Sequence, residues 1–376
     1  MQHKPTADVV ILGGGPAGLA AGLALRARGA DCLIVEPLAP GIDKSCGEGL
    51  MPEALSCLSR LGVTMDAEDG VPFRGIRFTD GQHHAQAAFP NQSGLGVRRT
   101  HLHRRMISRA EDAGLRMAWN TRAQLVDRSA LEIDGQRVRF QWLIGADGQS
   151  SSVRKWAGLG ALRSERVRFG FRRHYRVEPW SDAVEVHWGA RGQVYVTPVA
   201  ADCVCIAFVT RDHHFDRANY LADYPELEHR LRAAPQCSRE RGGATATRKL
   251  RRVQVDSIAL VGDASGSVDA VTGEGLAISF RQAIALADAI AAGDVATYQK
   301  VHRKLARLPH AMAQLLLTMD RWPAMQRRGL RALEAQPELF RELLAVHVGS
   351  ASLPHFALAR GPRLAWSLLQ SPAHAG

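Results

Sequence analysis

Residues 7–37 read ADVVILGGGPAGLAAGLALRARGADCLIVEP, and few arrangements satisfy that pattern. The run from Val9 to Leu12 has the length and β-branching of a strand buried on both faces. Gly13, Gly15 and Gly18 follow in GxGxxG spacing, then a helix-length segment, then a second apolar run that ends at Glu36. In such a unit the glycines have separate tasks. Gly13 allows the tight turn, Gly15 lets backbone approach a pyrophosphate, and Gly18 lets the helix pack close to the sheet. Pro16 and Ala17 open the helix, whose first N–H groups and positive dipole end suit phosphate. Gly22 extends the close-packed face. Glu36 is placed to accept the ribose hydroxyls of an adenosine.

Composition narrows the rest. A chain of 376 residues, 46% of them hydrophobic, fills two or three packed units and reads as a multi-domain globular protein. Its six cysteines show no CxxC spacing, which argues against a structural zinc or a disulfide framework. No charged leader opens the sequence and no run of about 18 apolar residues interrupts it, so the expectation is a cytoplasmic protein that does not span a membrane. Lys and Arg number 48 against 37 Asp and Glu, but the basic pairs are scattered and no nucleic-acid module is present. Solvated surface charge is the reading, without nucleic acid as a partner. The glycine unit leaves NAD and FAD open, while the lack of a second fingerprint disfavours separate FAD and NAD domains.

Two further segments address that choice. WLIGADGQSSSVR, Trp142 to Arg154, is an apolar strand ending in Asp147 and Gly148 before a serine-rich helix start; an Asx turn with a serine cap is the plain alternative. GDASGSVDAVTGEGLA, Gly262 to Ala277, leaves an apolar strand through Asp263 and restarts a helix at Gly275. With the N-terminal unit, the first resembles the DG motif of the aromatic-hydroxylase-like flavoprotein superfamily. The second resembles its GD motif in the geranylgeranyl-reductase-like form GDAxGxVDPxTGEG, departing at Ala270 where that family has proline. The resemblance implies an FAD enzyme. Asp147 and Gly148 would then touch flavin and reduced nicotinamide, and Asp263 a ribityl hydroxyl. Gly273, Gly275 and Leu276 would bring backbone to the flavin pyrimidine edge, where a helix N-terminus favours negative charge. Arg99, with Leu102 and Met106 at helical spacing, resembles the arginine of this family that reaches the cofactor; Arg98 points the other way.

KSCGEGLMP, Lys44 to Pro52, resembles the Cys-Gly motif of geranylgeranyl reductases, which borders the substrate cavity. The resemblance makes Cys46 a candidate proton donor, with Gly47 and Glu48 beside it and Lys44 as a cofactor contact; an inert buried thiol and solvated charges are the alternatives.

The expected fold is α/β. A Rossmann-like FAD domain takes residues 1–70, 95–165 and 250–295, an inserted antiparallel-sheet substrate domain takes 71–94 and 166–249, and a helical region takes 296–376. Phe171, Tyr175, Trp188 and Tyr195 are candidate cavity aromatics, and His83-His84 and His213-His214 read as surface pairs. Leu339, Leu343 and His347 share one helical face and Phe340 and Leu344 the adjacent one, a stripe that suits packing on a neighbouring domain, with contact at a bilayer surface as the second option. As an enzyme of this superfamily the chain would take FAD, with NADPH or NADH as electron donor or an external reductase as redox partner. The frequency of hydroxylases there puts first the hydroxylation of an apolar or aromatic small molecule through a flavin C4a-hydroperoxide. Flavin-dependent reduction of a prenyl-type alkene is second, and halogenation, whose WxWxIP signature is missing, is third.

Overall fold

A computed structural model describes residues 7–90, 92–164 and 167–370. The run ADVVIL forms the strand Ala7–Leu12, paired in parallel with Cys32–Val35 on one side and with the end of Gln136–Gly145 on the other. Ile258–Leu260 and Arg116–Ala118 extend this parallel set outward. Val9 and Ile11 face one apolar cluster, shared with Leu19, Leu102 and Phe280 on three helices; Val10 and Leu12 face another, with Leu131, Val153 and Leu260. A strand with both faces covered has no polar alternation, which is why this one reads as an unbroken apolar run. The carboxyl ends of the parallel strands share one edge, where such sheets place their ligand crevice.

A second sheet has seven strands in the order Arg241–Thr245, Arg168–Arg176, Cys203–Thr210, Gly192–Ala200, Ala183–Gly189, Gly75–Thr79 and His84–Ala88. It corrects the expectation of a purely antiparallel sheet. Gly75–Thr79 pairs in parallel with Ala183–Gly189, because these two segments arrive from separate excursions of the chain and no hairpin joins them. Val71–Phe73 leaves this sheet altogether and joins Gly49–Leu50 and Gly94–Gly96 in a three-stranded one.

Four helices follow: Val295–Arg321, Pro323–Ala335, Pro337–His347 and Leu353–Gln370. Pro323 and Pro337 begin helices, where a missing N–H costs nothing, but Pro309 sits inside the first. An interior proline costs about 3 kcal/mol, offset here by the burial of Tyr298, Met312, Leu316 and Met319 on the same helix. The stripe read as a possible bilayer contact is covered by the protein itself. Phe340 and Leu344 pack with Phe73 and Phe89, and Leu339 packs with Val346 and Phe356. Among the described residues no helix is long and apolar enough to cross a membrane.

Candidate functional site

A cavity of about 900 Å3 opens where the carboxyl edge of the parallel sheet, the second sheet and the C-terminal helices meet. Every candidate site residue lines it except Gly18. Gly18 serves close packing instead: a Cβ there would lie 1.8 Å from the Gly13 carbonyl oxygen and 3.3 Å from the Ala146 Cβ, so it seats the helix Pro16–Arg26 on the ends of the parallel strands. Gly13, at φ +114°, passes under Ala146, whose oxygen would meet a Cβ at 2.4 Å. Gly15, Gly47, Gly148, Gly273 and Gly275 are the reverse case. Nothing lies within 4 Å of a Cβ built on any of them, so the cavity reaches their bare backbone. That is the cradle an extended dinucleotide requires, and the residues fit FAD: Gly15 with the helix N-terminus for pyrophosphate, Gly273 and Gly275 for the far end. The Gly273 N–H already donates to the Ala270 carbonyl at 3.1 Å. Gly275, first in the helix Gly275–Ala291, keeps a first-turn N–H with no intrahelical acceptor.

Two acidic candidates also hold the backbone of the crevice together. Glu36, 7% exposed, accepts the Gly14 N–H at 2.7 Å on one oxygen and the Leu38 N–H at 3.0 Å on the other, and so clamps the glycine turn to the loop after the second strand. Asp147 accepts from the Ser152 N–H at 2.7 Å, the Ser152 hydroxyl at 2.9 Å and the Val153 N–H at 3.2 Å, as well as from the Ser151 hydroxyl. The Asx turn with serine caps is therefore what this carboxylate builds, while neighbouring Gly148 gives its backbone to the cavity. Lys44 and Asp263, 219 residues apart, form an ion pair at 3.2 Å. Arg99 is 8% exposed and lines the cavity, and its buried Nε has no hydrogen-bond partner among the described residues.

Sequence reading missed two residues that hold this frame. His103, fully buried one helical turn after Arg99, donates from Nε2 to the Gly14 carbonyl at 2.8 Å and accepts at Nδ1 from the Gly41 and Ile42 N–H groups at 3.2 and 3.1 Å. Burial lowers its pKa, which suits a neutral imidazole that both donates and accepts. Arg154 donates to the Ala264 carbonyl at 3.0 Å and the Gln149 carbonyl at 2.6 Å, tying the DG and GD segments together. The i, i+4 spacing of Arg99 and His103 was the available signal for the first; nothing local marked the second.

The loop carrying Cys46 bridges the two sheets. Asp43 pairs with Arg172 and, at 3.1 Å, with Arg241; the Ser45 hydroxyl donates to the Gly170 carbonyl at 3.1 Å. Burial raises the Asp43 pKa, but its bonds to Arg172 and Arg241 outweigh that and keep the carboxyl below its usual range. Glu48 is buried at φ +60°, a strained backbone for a non-glycine residue. Its carboxylate meets His174 Nε2 at 2.5 Å, accepts the Arg99 N–H at 2.9 Å and lies 3.7 Å from Arg172. Though its backbone borders the cavity, Glu48 is thus a positioning residue rather than a free acid. Glu48, His174 and Cys205 lie close enough to suggest a metal site. The Arg172 guanidinium already supplies the positive charge there, and burial, with Glu48 adding to it, holds the Cys205 thiol well above its ordinary pKa. Cys46 itself is half-buried and lines the cavity.

Beyond this loop the cavity becomes an apolar lobe. Phe171 and Tyr195 line it as expected. Tyr175 and Trp188 do not: the first packs with Val204 and Leu227, the second edge-on against Phe78. Met312, Leu316, Met319, Leu333, Phe340 and Leu344 complete the lobe from helices that periodicity had marked only as packing surface.

A parallel sheet with a bare-backbone crevice at its carboxyl edge and an adjoining apolar lobe define a flavoprotein oxidoreductase. Residues 6–294 match the family described as FAD binding domain, and the chain belongs to it. The menaquinone reductase of Mycobacterium tuberculosis is 31% identical over 195 residues, 48% of this chain and about half the relative's length, also 48%. That of Mycolicibacterium smegmatis is 27% identical over 84% of this chain and 86% of the relative. The digeranylgeranylglycerophospholipid reductase of Methanocaldococcus jannaschii is 25% identical over 72% and 73%. Among solved structures, a flavoprotein/dehydrogenase from Cytophaga hutchinsonii superposes with TM-score 0.84 at 15% identity over 97% of this chain and all of that one. A geranylgeranyl bacteriochlorophyll reductase-like protein from Thermoplasma acidophilum superposes with TM-score 0.74 at 19% identity over 96% and 98%. The two share its fold.

Proposed function

We propose that the chain is an FAD-dependent reductase that saturates a carbon–carbon double bond in a long, apolar, prenyl-type molecule, with NADPH or NADH as electron donor. The observation that carries this reading is the apolar lobe, continuous with the glycine cradle and walled by Val184, Val186, Met312, Leu316, Phe340 and Leu344. The proton of its aromatic hydroxyl, on Tyr195, is already donated to the Val271 carbonyl at 3.0 Å, so the lobe offers a phenol an acceptor there but no free hydroxyl donor. This ranks alkene reduction above hydroxylation, reversing the order that the frequency of hydroxylases suggests. Support also comes from two curated relatives matched over most of their length that are reductases by name.

Bound FAD supplies the hydride chemistry. The chain's own part is to bind, orient and exclude water. Gly15 and the helix N-terminus suit the pyrophosphate, Arg99 offers positive charge at the cavity wall, and the Lys44–Asp263 pair sets the spacing between the Cys46 loop and the cofactor loop. Burial of an apolar chain is worth about 0.8 kcal/mol per CH2 group, so ten such groups suffice to hold a prenyl tail without polar contacts. Cys46, held from both sheets, borders the reacting region.

The test is anaerobic turnover of FAD-loaded protein with NADPH or NADH and a polyprenyl probe, read by mass spectrometry. A product carrying two added hydrogens without oxygen is expected. An added oxygen atom that appears only in air would instead establish hydroxylation and refute the reductase reading.

A further inference from the structure

Behind the Thr272–Gly275 turn of the cofactor loop lies a buried polar pair that the reading above leaves unused. Glu274, 2% exposed, has no hydrogen-bond partner on either carboxyl oxygen among the described residues. His347, the last residue of the helix Pro337–His347, is 7% exposed and lines the cavity. Its Nε2 lies 3.2 Å from the Thr272 carbonyl oxygen, and its Nδ1 lies 3.7 Å from a Glu274 oxygen. A carbonyl only accepts, so the imidazole proton belongs on Nε2, and Nδ1 turns its lone pair toward Glu274.

That spacing would suit an ion pair, but burial keeps both partners uncharged. Burial raises Glu274 to about 8 despite the opposing pull of Arg281, and it lowers His347 to about 4. The other titratable or charged groups around them are Glu53 and Cys57, on the helix Pro52–Arg60, and Arg281 itself. Arg281 is paired with Glu53 at 3.2 Å, which leaves Glu274 without a cation of its own. A neutral acid therefore faces the open nitrogen of a neutral imidazole whose other edge meets the cofactor loop.

We propose that Glu274 and His347 form a proton relay into the cavity, Glu274 storing the proton and His347 handing it on. The proposal rests on the alkene reduction above for its substrate. In that reaction the π bond breaks. One carbon receives a hydride, with its electron pair, from the reduced flavin, which is oxidised; the other receives the Nε2 proton of His347, whose ring must first turn that N–H from the Thr272 carbonyl to the cavity it lines. Nδ1 takes the Glu274 proton as the 3.7 Å gap between them closes to hydrogen-bond distance, so the imidazole ends neutral. The carboxylate left near Arg281 regains its proton from solvent.

Infrared titration of the FAD-loaded protein without substrate reads the stored proton directly. A carboxylic-acid band is expected at neutral pH, lost with a midpoint near 8 and missing in Glu274→Gln. In anaerobic turnover of a polyprenyl probe, Glu274→Gln and His347→Gln should each lower kcat at least about tenfold while leaving KM and FAD content unchanged. Wild-type kcat should fall above about pH 8, a limb that Glu274→Gln lacks and Glu274→Asp partly restores. The relay is overturned if wild type shows no acid band at neutral pH, or if Glu274→Gln keeps wild-type kcat and pH profile. A protein that shows the band but saturates no double bond sinks the alkene reading instead. The acid band then decides the relay without substrate: its midpoint moves in His347→Gln if the imidazole shares the Glu274 proton, and stays near 8 if it does not.

Discussion

Glu48 and His174, 126 residues apart in the chain, meet at 2.5 Å between the Cys46 loop and the second sheet, with Arg172 3.7 Å from the same carboxylate. All three side chains are at most 1% exposed. Removing the carboxylate leaves a buried guanidinium with only Asp43 to balance it, and breaking a buried pair in this way costs about 3 kcal/mol or more. Glu48→Ala should lower stability by that amount in urea denaturation, with Glu48→Gln costing less because it keeps a hydrogen-bonding shape. A loss below about 1 kcal/mol would show that the cluster does not hold the loop.

Gly15 and Gly18 should separate binding from folding. A Cβ at Gly15 enters open cavity space, whereas one at Gly18 lands 1.8 Å from the Gly13 carbonyl oxygen. Gly15→Val should therefore leave the melting temperature of the apoprotein nearly unchanged and weaken FAD binding at least about tenfold, or ~1.4 kcal/mol. Gly18→Val should instead destabilise the apoprotein itself, because backbone cannot move aside cheaply. Fluorescence quenching of FAD on binding and thermal melting measure the two effects. Equal losses of stability in both variants would refute the assignment.

The glycine unit was legible because each of its features is local: strand, turn and helix follow within 31 residues, and a buried parallel strand is apolar on both faces. What the carboxylates do was only half legible. Glu36, Asp147 and Glu48 all sit at the crevice, yet their oxygens are taken by Gly14, by Ser152 and by His174, and only the second of those partners is a sequence neighbour. A residue type announces that it can accept a hydrogen bond, not from whom. The apolar lobe was hidden for a related reason. Met312, Leu316 and Phe340 have the periodicity of any packed helix, and whether such a face meets protein or a void depends on how far the second sheet stands off.

Acid should destabilise the fold in a window set by buried imidazoles. Burial lowers the His302 pKa to about 4, while in the unfolded chain it titrates near its ordinary 6.5. Between those values the unfolded state binds the extra proton. The contribution is fully present above about 6.5 and is lost as pH falls toward 4, with a limiting slope of about 1.4 kcal/mol per pH unit for each such group. His347 behaves in the same sense. His302 lies 3.0 Å from Gln282 Nε2 and 2.9 Å from the Ser265 hydroxyl, so His302→Gln retains polar partners while removing the titration. Urea midpoints taken from pH 7 to pH 4.5 should fall less steeply in that variant, by about one proton's worth of slope. An unchanged slope would mean that His302 charges without disturbing the fold.

Filling the apolar lobe should shorten the substrate the protein accepts without touching the cofactor. Met312 is 6% exposed, lines the lobe from the helix Val295–Arg321 and belongs to none of the glycine segments. A Met312→Trp side chain adds bulk on the cavity side, where the neighbours are void and the side chains of Leu316 and Met319 rather than backbone. Overpacking costs about 1–3 kcal/mol in a filled core and less beside a cavity, so the variant should fold and bind FAD. Each CH2 group driven back into water loses about 0.8 kcal/mol, and displacing two of them raises KM for a long polyprenyl probe about tenfold or more, while KM for a short one stays as in wild type. Chain-length series measured on both proteins decide it. If long and short probes lose affinity alike, the lobe is not where the tail lies, and the prenyl-type substrate falls with it.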